Sequence, residues 1–354
     1  MARPTNIRGM LLEEALLHLL ESKGYRTVLS RGTDPTLFDG PAGLKVRGRG
    51  SDHQIDAISD FQAPPPFSHP QRLLVEAKCF DPGTRVGIRI VREAVGILKD
   101  VSEFWMVAGG EIPKQRFHYQ YAVFSATGYT DEAQRFAFAQ DIYLIPLAAS
   151  RFLEPAIQAL RNVRPAAADD LGNANIDVDM TELRRSIRSL IRGQVPAAAG
   201  LEEIGVVLRG IGEFVQACHA IRYALMATLG GSFPVFLVPS PELRGQAVNE
   251  EYFVRIYRGP NDETWYLRDA LTNNNLFSFD LPQELFLEYA NQGILSERAA
   301  LDLKEELMSN LLAYWMQDGI LRLVRFRLDQ EWTAGIRNQI ERRRREDSRG
   351  SERR

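Results

Sequence analysis

The chain contains Ser51-Asp52-His53-Gln54-Ile55-Asp56 and, after a proline-rich gap, Arg72-Leu73-Leu74-Val75-Glu76-Ala77-Lys78-Cys79. The second segment predicts a buried strand, because its apolar residues run together between loop-forming residues. Side chains alternate along a strand, so Glu76 and Lys78 share one face. An acid and a base on one face of an apolar strand indicate either a surface pair on an edge strand or a functional site.

Asp56 favours a functional site. It ends a segment of alternating polar and apolar residues that we expect to pair antiparallel with residues 73–78, which brings Asp56 beside Glu76 and Lys78. Two carboxylates supply the oxygen ligands that Mg²⁺ prefers. A neighbouring lysine can orient or deprotonate the attacking water. The three residues therefore predict a metal-dependent phosphodiesterase site.

Asp56 followed by Glu76-Ala77-Lys78 resembles the D…(D/E)-x-K signature of the restriction-endonuclease-like superfamily, and within it the Mrr-type restriction endonucleases. The resemblance covers about residues 7–150. Its segments are an opening helix that ends in Gly-Tyr (9–25), a glycine-rich approach to the aspartate (48–56), a helix after the E-x-K strand (86–101) and a closing strand–helix–strand (124–145). Some Mrr-type enzymes carry glutamine where this chain has Glu76.

The resemblance implies an α/β fold with a restriction-endonuclease-like core, in which helices flank a mixed central sheet. It implies Mg²⁺ as the cofactor, with Mn²⁺ as a substitute. Asp56, Glu76 and the backbone carbonyl of Ala77 would bind the metal, and Lys78 would position the water. The opening helix offers two further acids, Glu13 and Glu14, either of which would act through water or a second ion.

Basic and polar side chains flank the predicted site and are candidates for contacts to nucleic-acid phosphates. They are Arg47, Arg49, His53 and Gln54 before the aspartate, and Arg85, Arg89 and Arg92 after the E-x-K strand. The competing interpretation is a solvated hairpin followed by the charged face of a helix. The formal net charge of −3 excludes a uniformly basic surface, so nucleic-acid contacts must come from such local patches.

Composition indicates an ordinary globular protein with about two domains, since 45% of its 354 residues are hydrophobic. Cys79 and Cys218 are the two cysteines, which predicts a reducing compartment and excludes a disulfide framework or a close zinc knuckle. No apolar run reaches membrane-spanning length and no signal-peptide core is present, so we expect a cytoplasmic protein with no membrane partner.

The predicted organisation is a nuclease domain over residues 1–160, a linker with a basic amphipathic helix over 161–200, an α+β domain over 201–340 and a basic disordered tail over 341–354. In the α+β domain we expect one or two helices over 201–229, then four strands, helices over 282–292 and 296–316, and a last strand over 321–328. This domain is expected to sense a ligand, a partner or a DNA feature.

The function expected from the resemblance is endonucleolytic hydrolysis of DNA in prokaryotic restriction or anti-phage defence. The expected partners are DNA and either a second copy of the chain or another defence-system subunit such as an ATPase. Two alternatives stay open. One is a catalytically silent binding or regulatory subunit on a nuclease-like scaffold, and the other is a nuclease that acts on RNA or on single-stranded or branched DNA.

Overall fold

The structure is a computed structural model and describes residues 4–40, 43–104, 117–148, 150–166, 179–194, 204–205, 208–229, 233–244, 246–259, 264–281, 301–302, 305–306, 308, 310–317 and 319–351. The chain divides into two compact units, Met1–Arg222 and Tyr223–Arg354. Helices alternate with strands in the first unit, and the predicted α/β class is confirmed.

The first unit contains, in chain order, α1 (Pro4–Glu21), β1 (Tyr25–Thr27), β2 (Leu37–Gly40), β3 (Gly43–Arg47), β4 (Asp52–Gln54), β5 (Ala57–Phe61), β6 (Gln71–Lys78), α2 (Ile88–Ser102), β7 (His118–Ser125), α3 (Asp131–Ala139), β8 (Ile142–Pro146), α4 (Glu154–Asn162), β9 (Arg164–Pro165), α5 (Met180–Ile191), β10 (Leu208–Arg209) and α6 (Ile211–Ala220).

A mixed five-stranded sheet with the order β1-β5-β6-β7-β8 forms the centre of this unit. Strands β1, β5 and β6 pair antiparallel, whereas β6, β7 and β8 run parallel. The predicted antiparallel pairing before the E-x-K strand is confirmed, with Ala57 opposite Val75. Its start was wrong, because Gln54 belongs to β4 in a separate sheet, β2-β3-β4. Asp56 therefore lies between two sheets, directly before β5.

Both faces of the sheet are covered. Leu74, Tyr121 and Val123 on one face pack against α2 and α3 in a continuous apolar core. Leu73 and Val75 point to the opposite face and are also buried, and α1 packs against β1, β5 and β6. The E-x-K strand is thus buried through its first half, and its polar residues lie at its carboxyl end.

Helix α3 begins at a side-chain cap that is evident in the sequence. Thr130 is in an extended conformation, and its hydroxyl accepts a hydrogen bond from the Ala133 N–H. Asp131 and Glu132 occupy the first turn, where negative charge is favourable. The predicted capped helix is confirmed.

Replacement of this cap has a modest expected effect. We expect Thr130→Ala to lower the free energy of unfolding by about 1 kcal/mol, because the Ala133 N–H loses its acceptor. Urea unfolding followed by circular dichroism measures the change. Thr130→Ser keeps the hydroxyl and is expected to retain most of the stability, and equal losses in both variants would contradict the capping role.

The basic amphipathic helix predicted in the linker forms as α5, but it is not a free linker element. Its apolar side chains are buried: Leu183, Ile187, Leu190 and Ile191. Its arginines pair with carboxylates of α1, so the helix packs along α1. The observed division between Arg222 and Tyr223 therefore lies later than the boundary expected at residue 160.

The second unit contains β11 (Leu225–Leu229), β12 (Phe233–Pro239), β13 (Glu251–Arg258), β14 (Thr264–Asp269), β15 (Asn275–Asp280), β16 (Asn310–Gln317), β17 (Ile320–Leu328) and α7 (Gln330–Ser351). These seven strands form a closed barrel in the order β11-β12-β15-β14-β13-β17-β16. β13 and β17 pair parallel, and the other neighbours pair antiparallel.

Several predictions for this unit were wrong. The helix expected over 201–229 gives way to strand β11 at its end, and the helix expected over 296–316 gives way to β16. In β16 the alternate residues Leu311, Ala313 and Trp315 are buried in the barrel core, which a continuous apolar run does not reveal. The helix expected over 282–292 lies outside the described residues.

A disordered tail was expected over 341–354, and α7 continues through this segment to Ser351. Arg, Glu and Gln dominate this segment, and these straight-chain residues favour helix. Asp329 caps the helix by accepting a hydrogen bond from the Trp332 N–H, and it also accepts one from Arg255 Nε. Among the described residues, the helices are too short or too polar to cross a bilayer.

Candidate active site

The structure brings Asp56, Glu76 and Lys78 together at the carboxyl end of β6. Asp56 Oδ2 accepts a hydrogen bond of 2.8 Å from the Ala77 N–H. Lys78 Nζ donates to the Glu76 carboxylate, as expected for two side chains on one face of a strand. Both side chains keep about a fifth of their surface exposed. The triplet predicted from sequence is thus one contiguous cluster open to solvent.

The backbone of Ala77 faces this cluster. The Lys78 carbonyl accepts a hydrogen bond from the Ala126 N–H, so the backbone groups of Lys78 point toward β7. Backbone groups alternate in direction along a strand, so the N–H and carbonyl of Ala77 point the other way, toward Asp56. The Ala77 carbonyl is therefore available on the same side as the Asp56 carboxylate.

The two carboxylates repel each other electrostatically. Burial raises the pKa of Glu76, and the charge of Asp56 raises it further, against the hydrogen bond from Lys78. Burial lowers the pKa of Lys78, but the hydrogen bond and charge of Glu76 outweigh burial, and the pKa lies above its ordinary value. Lys78 is therefore an ammonium group here, which favours the role of hydrogen-bond donor over that of base.

Two residues that the sequence prediction missed belong to this cluster. The Tyr121 hydroxyl donates to Glu76 Oε2 over 3.2 Å. Tyr121 lies on β7, and the parallel register that brings it there cannot be read from local sequence. Glu93 on α2 adds its negative charge to those that raise the pKa of Lys78. The sequence gives little indication of this role for Glu93, because an exposed glutamate in a helix usually has no partner.

The structure separates the two acids of α1. Burial raises the pKa of Glu13 to about 7, Arg184 opposes this, and the charge of Asp56 adds to it, so Glu13 lies on the side of the candidate site. Glu14 is buried and accepts hydrogen bonds of 2.7 Å from both Nε and Nη2 of Arg188. Glu13 also accepts a hydrogen bond from Arg184 at 2.7 Å. Of the two candidates, Glu13 is the one whose pKa the charge of Asp56 raises.

The raised pKa of Glu13 makes folding stability depend on pH. Between about 4.5 and 7 the folded state holds a proton on Glu13 that the unfolded chain has released. The stabilisation is complete below the ordinary pKa and is lost as the pH rises through about 7. We expect Glu13→Gln to remove this decline. The free energy of unfolding of the variant, compared with that of the wild type, is therefore expected to rise from pH 5 to pH 8.

Urea unfolding in EDTA across this pH range tests the effect, with Glu250→Gln as the control for an exposed glutamate. Curves of stability against pH that run parallel for Glu13→Gln and the wild type would contradict a raised pKa.

Most of the predicted phosphate-binding residues before Asp56 have partners within the protein. His53 Nε2 lies 2.8 Å from Asp100 Oδ2, and Arg49 pairs with Glu103 at 2.9 Å. Gln54 Nε2 donates to the Leu44 carbonyl. These contacts fix the segment before Asp56 against the end of α2 and against β3, so the side chains have structural partners.

Asp100 organises this turn, a role that the sequence prediction missed. Its carboxylate accepts hydrogen bonds from the N–H groups of Gly50 and Ser51 as well as contacting His53. A Cβ at position 48 would lie 1.9 Å from Asp100 Oδ2, so Gly48 is required for this close approach. The contact joins residues about 50 positions apart, and no local pattern predicts it.

The remaining arginine candidates lie on the surface. Arg47 lies over the Phe38 ring at 5.6 Å, and Arg92 lies over the Phe136 ring at 5.7 Å. Arg85 and Arg89 are exposed and form no ion pair with any described residue. Arg85, Arg89 and Arg92 are thus free to meet an external phosphate, but the structure does not bring them into the Asp56–Lys78 cluster.

The donor set fits a hard divalent cation. No group of three or more His, Cys, Asp or Glu side chains with metal-ligand geometry occurs in the described ranges. Mg²⁺ is commonly held by one or two carboxylates, with water and substrate oxygens completing its shell. Asp56, Glu76 and the Ala77 carbonyl supply such a set, and a cation there would relieve the repulsion that raises the pKa of Glu76.

Comparison with known proteins adds little to this geometry. No family model and no curated protein matches the chain. The chain is similar to a solved crystal structure described as a protein of unknown function, AF1548, with 13% identity over 60% of this chain and 94% of that one, and a TM-score of 0.31. A likeness of this size supports no conclusion about activity, so the function has to be argued from the site residues.

Proposed function

We propose that the first unit is a metal-dependent nuclease that hydrolyses phosphodiester bonds of DNA, built on a restriction-endonuclease-like core. The observation that supports this most is the convergence of Asp56, Glu76 and Lys78 at the end of one strand, with the Asp56 carboxylate on the Ala77 N–H. The mixed sheet with a parallel β6-β7-β8 half agrees with such a core.

Each side chain has a defined task in this proposal. Asp56, Glu76 and the Ala77 carbonyl would hold Mg²⁺ or Mn²⁺, which would supply Lewis-acid stabilisation of charge on a phosphate. Lys78 donates hydrogen bonds and positions the attacking water. Glu13 would act through a water or a second ion, since the charge of Asp56 acts on it. Tyr121 orients the Glu76 carboxylate through its hydroxyl.

The pKa directions are consistent with these tasks. Without a cation, burial and the charge of Asp56 raise the pKa of Glu76, although the hydrogen bond from Lys78 opposes them. A bound cation would help to neutralise the Glu76 carboxylate, which would leave Lys78 Nζ able to donate to water or phosphate. The same cation is expected to lower the pKa of Glu13, which then acts as a carboxylate at neutral pH.

Cleavage assays test the proposal directly. The purified chain is incubated with supercoiled plasmid, linear duplex, single-stranded DNA and RNA, each with Mg²⁺, Mn²⁺ or EDTA. We expect nicking or linearisation of plasmid with Mg²⁺ or Mn²⁺ and none with EDTA. Cleavage confined to RNA or to single-stranded DNA would show that these, and not duplex DNA, are the substrate. Cleavage in EDTA would contradict the metal site.

The proposal extends to the biological role of the protein and to its partners. We propose restriction or anti-phage defence as the setting, with the barrel of the second unit as the part that senses a ligand, a partner or a DNA feature. A second copy of the chain or an ATPase subunit would be engaged through that unit. Size-exclusion chromatography with light scattering, with and without duplex DNA, tests whether two copies assemble on a substrate.

A further inference from the structure

One outer face of the barrel carries a group of arginine side chains. In β17 the residues Val324, Phe326 and Leu328 are buried in the barrel core, and Arg325 and Arg327 alternate with them. Side chains alternate in direction along a strand, so the two arginines point outward. About half of each arginine side chain is exposed, 48% for Arg325 and 47% for Arg327. The outer surface of β17 is therefore basic.

An exposed aromatic ring lies beside these arginines. Phe253 on β13 stands between Tyr252 and Val254, which are buried in the barrel core, so its ring points outward and 54% of the residue is exposed. The parallel pairing of β13 with β17 places Phe253 opposite Arg327. Because paired strands lie about 4.8 Å apart, the ring and the guanidinium groups belong to one continuous surface.

The basic surface continues from β13 onto β14. Arg255 points outward from β13 and lies opposite Arg268 of β14. Like charges directly opposite each other destabilise a sheet, so each arginine needs compensation. Arg255 pairs with Asp329 at 2.8 Å. Arg268 lies over the Tyr257 ring at 4.5 Å and forms no ion pair with a described residue.

The ion pairs on this face leave an excess of positive charge. Glu251 pairs with both Arg327, at 2.6 Å, and Arg325, at 4.0 Å, so two cations share one carboxylate. An apolar partner would have to take these charges out of water without a matching acid, which costs free energy. Phosphate groups supply the missing negative charge and match the guanidinium fork. The charge of the face therefore favours a nucleic acid as its ligand.

We propose that the outer face of β17, β13 and β14 binds single-stranded nucleic acid, with a base stacked on Phe253 and backbone phosphates on Arg325 and Arg327. Bases that are paired in a duplex cannot stack on an external ring, whereas those of a single strand can. The proposal rests on the proposed function only in that it gives the sensing unit its ligand. Every base has a flat π-face, so we expect binding without sequence preference.

The first experiment measures binding of a short fluorescein-labelled oligothymidylate to the full chain by anisotropy. It is done in EDTA, where the proposed nuclease does not cleave. We expect Phe253→Ala to weaken binding by about fivefold or more, because one stacked base is lost. Phe253→Tyr keeps the ring and is expected to bind like the wild type. No binding by the wild type, or an equal loss in both variants, would overturn the proposal.

The control for this experiment is another exposed phenylalanine. Phe138 on α3 is 55% exposed, close to the 54% of Phe253, and it lies in the first unit. Phe138→Ala is expected to leave the affinity within about twofold. A loss as large as that of Phe253→Ala would overturn the assignment of the stacking to β13.

The second experiment identifies the phosphate contacts by varying the salt concentration. Arg325→Gln combined with Arg327→Gln is expected to reduce the slope of log K against log salt by about 1.4, the value for two contacts to single-stranded phosphates. Arg135→Gln combined with Arg244→Gln removes the same charge from exposed positions elsewhere and is expected to leave the slope unchanged. Equal slopes in the two double variants would overturn the assignment to β17.

Failure of this proposal differs from failure of the proposed nuclease. If the chain cleaves no substrate but binds the oligonucleotide, and Phe253→Ala weakens that binding, the nuclease fails and the binding face stands. Metal-dependent cleavage without binding of the single strand in EDTA would have the opposite meaning. Light scattering tests a second copy as the occupant. A dimer that Phe253→Ala dissociates, with the affinity for oligothymidylate unchanged, would assign the face to that copy and overturn the proposal.

Discussion

Asp56→Asn is expected to lower the rate of metal-dependent cleavage by about 10²–10⁴-fold, which corresponds to several kcal/mol of lost transition-state stabilisation. The amide oxygen can still accept the hydrogen bond from the Ala77 N–H, so the local fold is retained. What the substitution removes is the negative charge beside Glu76. A loss of this size would therefore report the carboxylate's part in holding the cation.

Matched variants separate this effect from a structural one. Asp52→Asn changes an exposed aspartate four residues away in the same segment and is expected to leave cleavage within about twofold. Lys78→Met keeps the length of the side chain and is expected to reduce the rate to a similar degree as Asp56→Asn. Full activity in either Asp56→Asn or Lys78→Met, at saturating Mg²⁺, would show that the reaction occurs elsewhere.

Glu14→Ala is expected to lower the free energy of unfolding by about 3 kcal/mol, the lower end of the cost of breaking a buried ion pair. The Glu14 side chain is 1% exposed and accepts two hydrogen bonds from Arg188, which keeps 21% of its own surface. Removal of the acid leaves the guanidinium without its partner against α1. The partial exposure of Arg188 sets the effect at the lower end of the range.

A double-mutant cycle tests the origin of this loss. We expect Glu14→Ala combined with Arg188→Ala to cost less than the sum of the single changes, because the stranded charge is removed. Asp39→Ala, at an exposed position on β2, is the control and should stay within about 0.5 kcal/mol. Urea unfolding followed by circular dichroism measures all four variants. A loss below 0.5 kcal/mol for Glu14→Ala would contradict its structural role.

Glu13 and Glu14 are neighbouring acids of α1 that the structure places in different surroundings. Consecutive helical residues point about 100° apart, so the sequence alone could not decide whether Glu13 or Glu14 faces the site. The difference comes from distant elements: Arg188 lies 174 positions after Glu14 and donates two hydrogen bonds to it, whereas Glu13 meets Arg184 and the charge of Asp56. Pairing between residues this far apart cannot be predicted from the neighbouring sequence.

The E-x-K strand was predictable because the residues that determine it are adjacent in the sequence. Apolar residues before Glu76 give a buried strand, and the alternation along it places Glu76 and Lys78 together. The antiparallel neighbour and the parallel strand–helix–strand that follows were also predicted correctly. Tyr121, Glu93 and Asp100 were missed as parts of the site and its support, because each depends on the packing of a distant element.

The second unit was the hardest to predict. Its strands were recognised where turn residues bound them, as in β13 to β15. The apolar run of β16 has no polar interruption, and a run of this kind fits a buried helix as well as a barrel strand. The closure of seven strands into a barrel depends on the parallel pairing of β13 with β17, which no segment shows by itself.

Binding of Mn²⁺ to the isolated chain tests the central claim most directly, because it requires neither substrate nor partner. Free Mn²⁺ is measured by electron paramagnetic resonance during titration of the wild type, Asp56→Asn, Glu76→Gln and Asp52→Asn. We expect a site in the wild type that Asp52→Asn retains and that Asp56→Asn and Glu76→Gln each weaken at least tenfold. Equal Mn²⁺ affinity in all four proteins would contradict a metal site at Asp56 and Glu76.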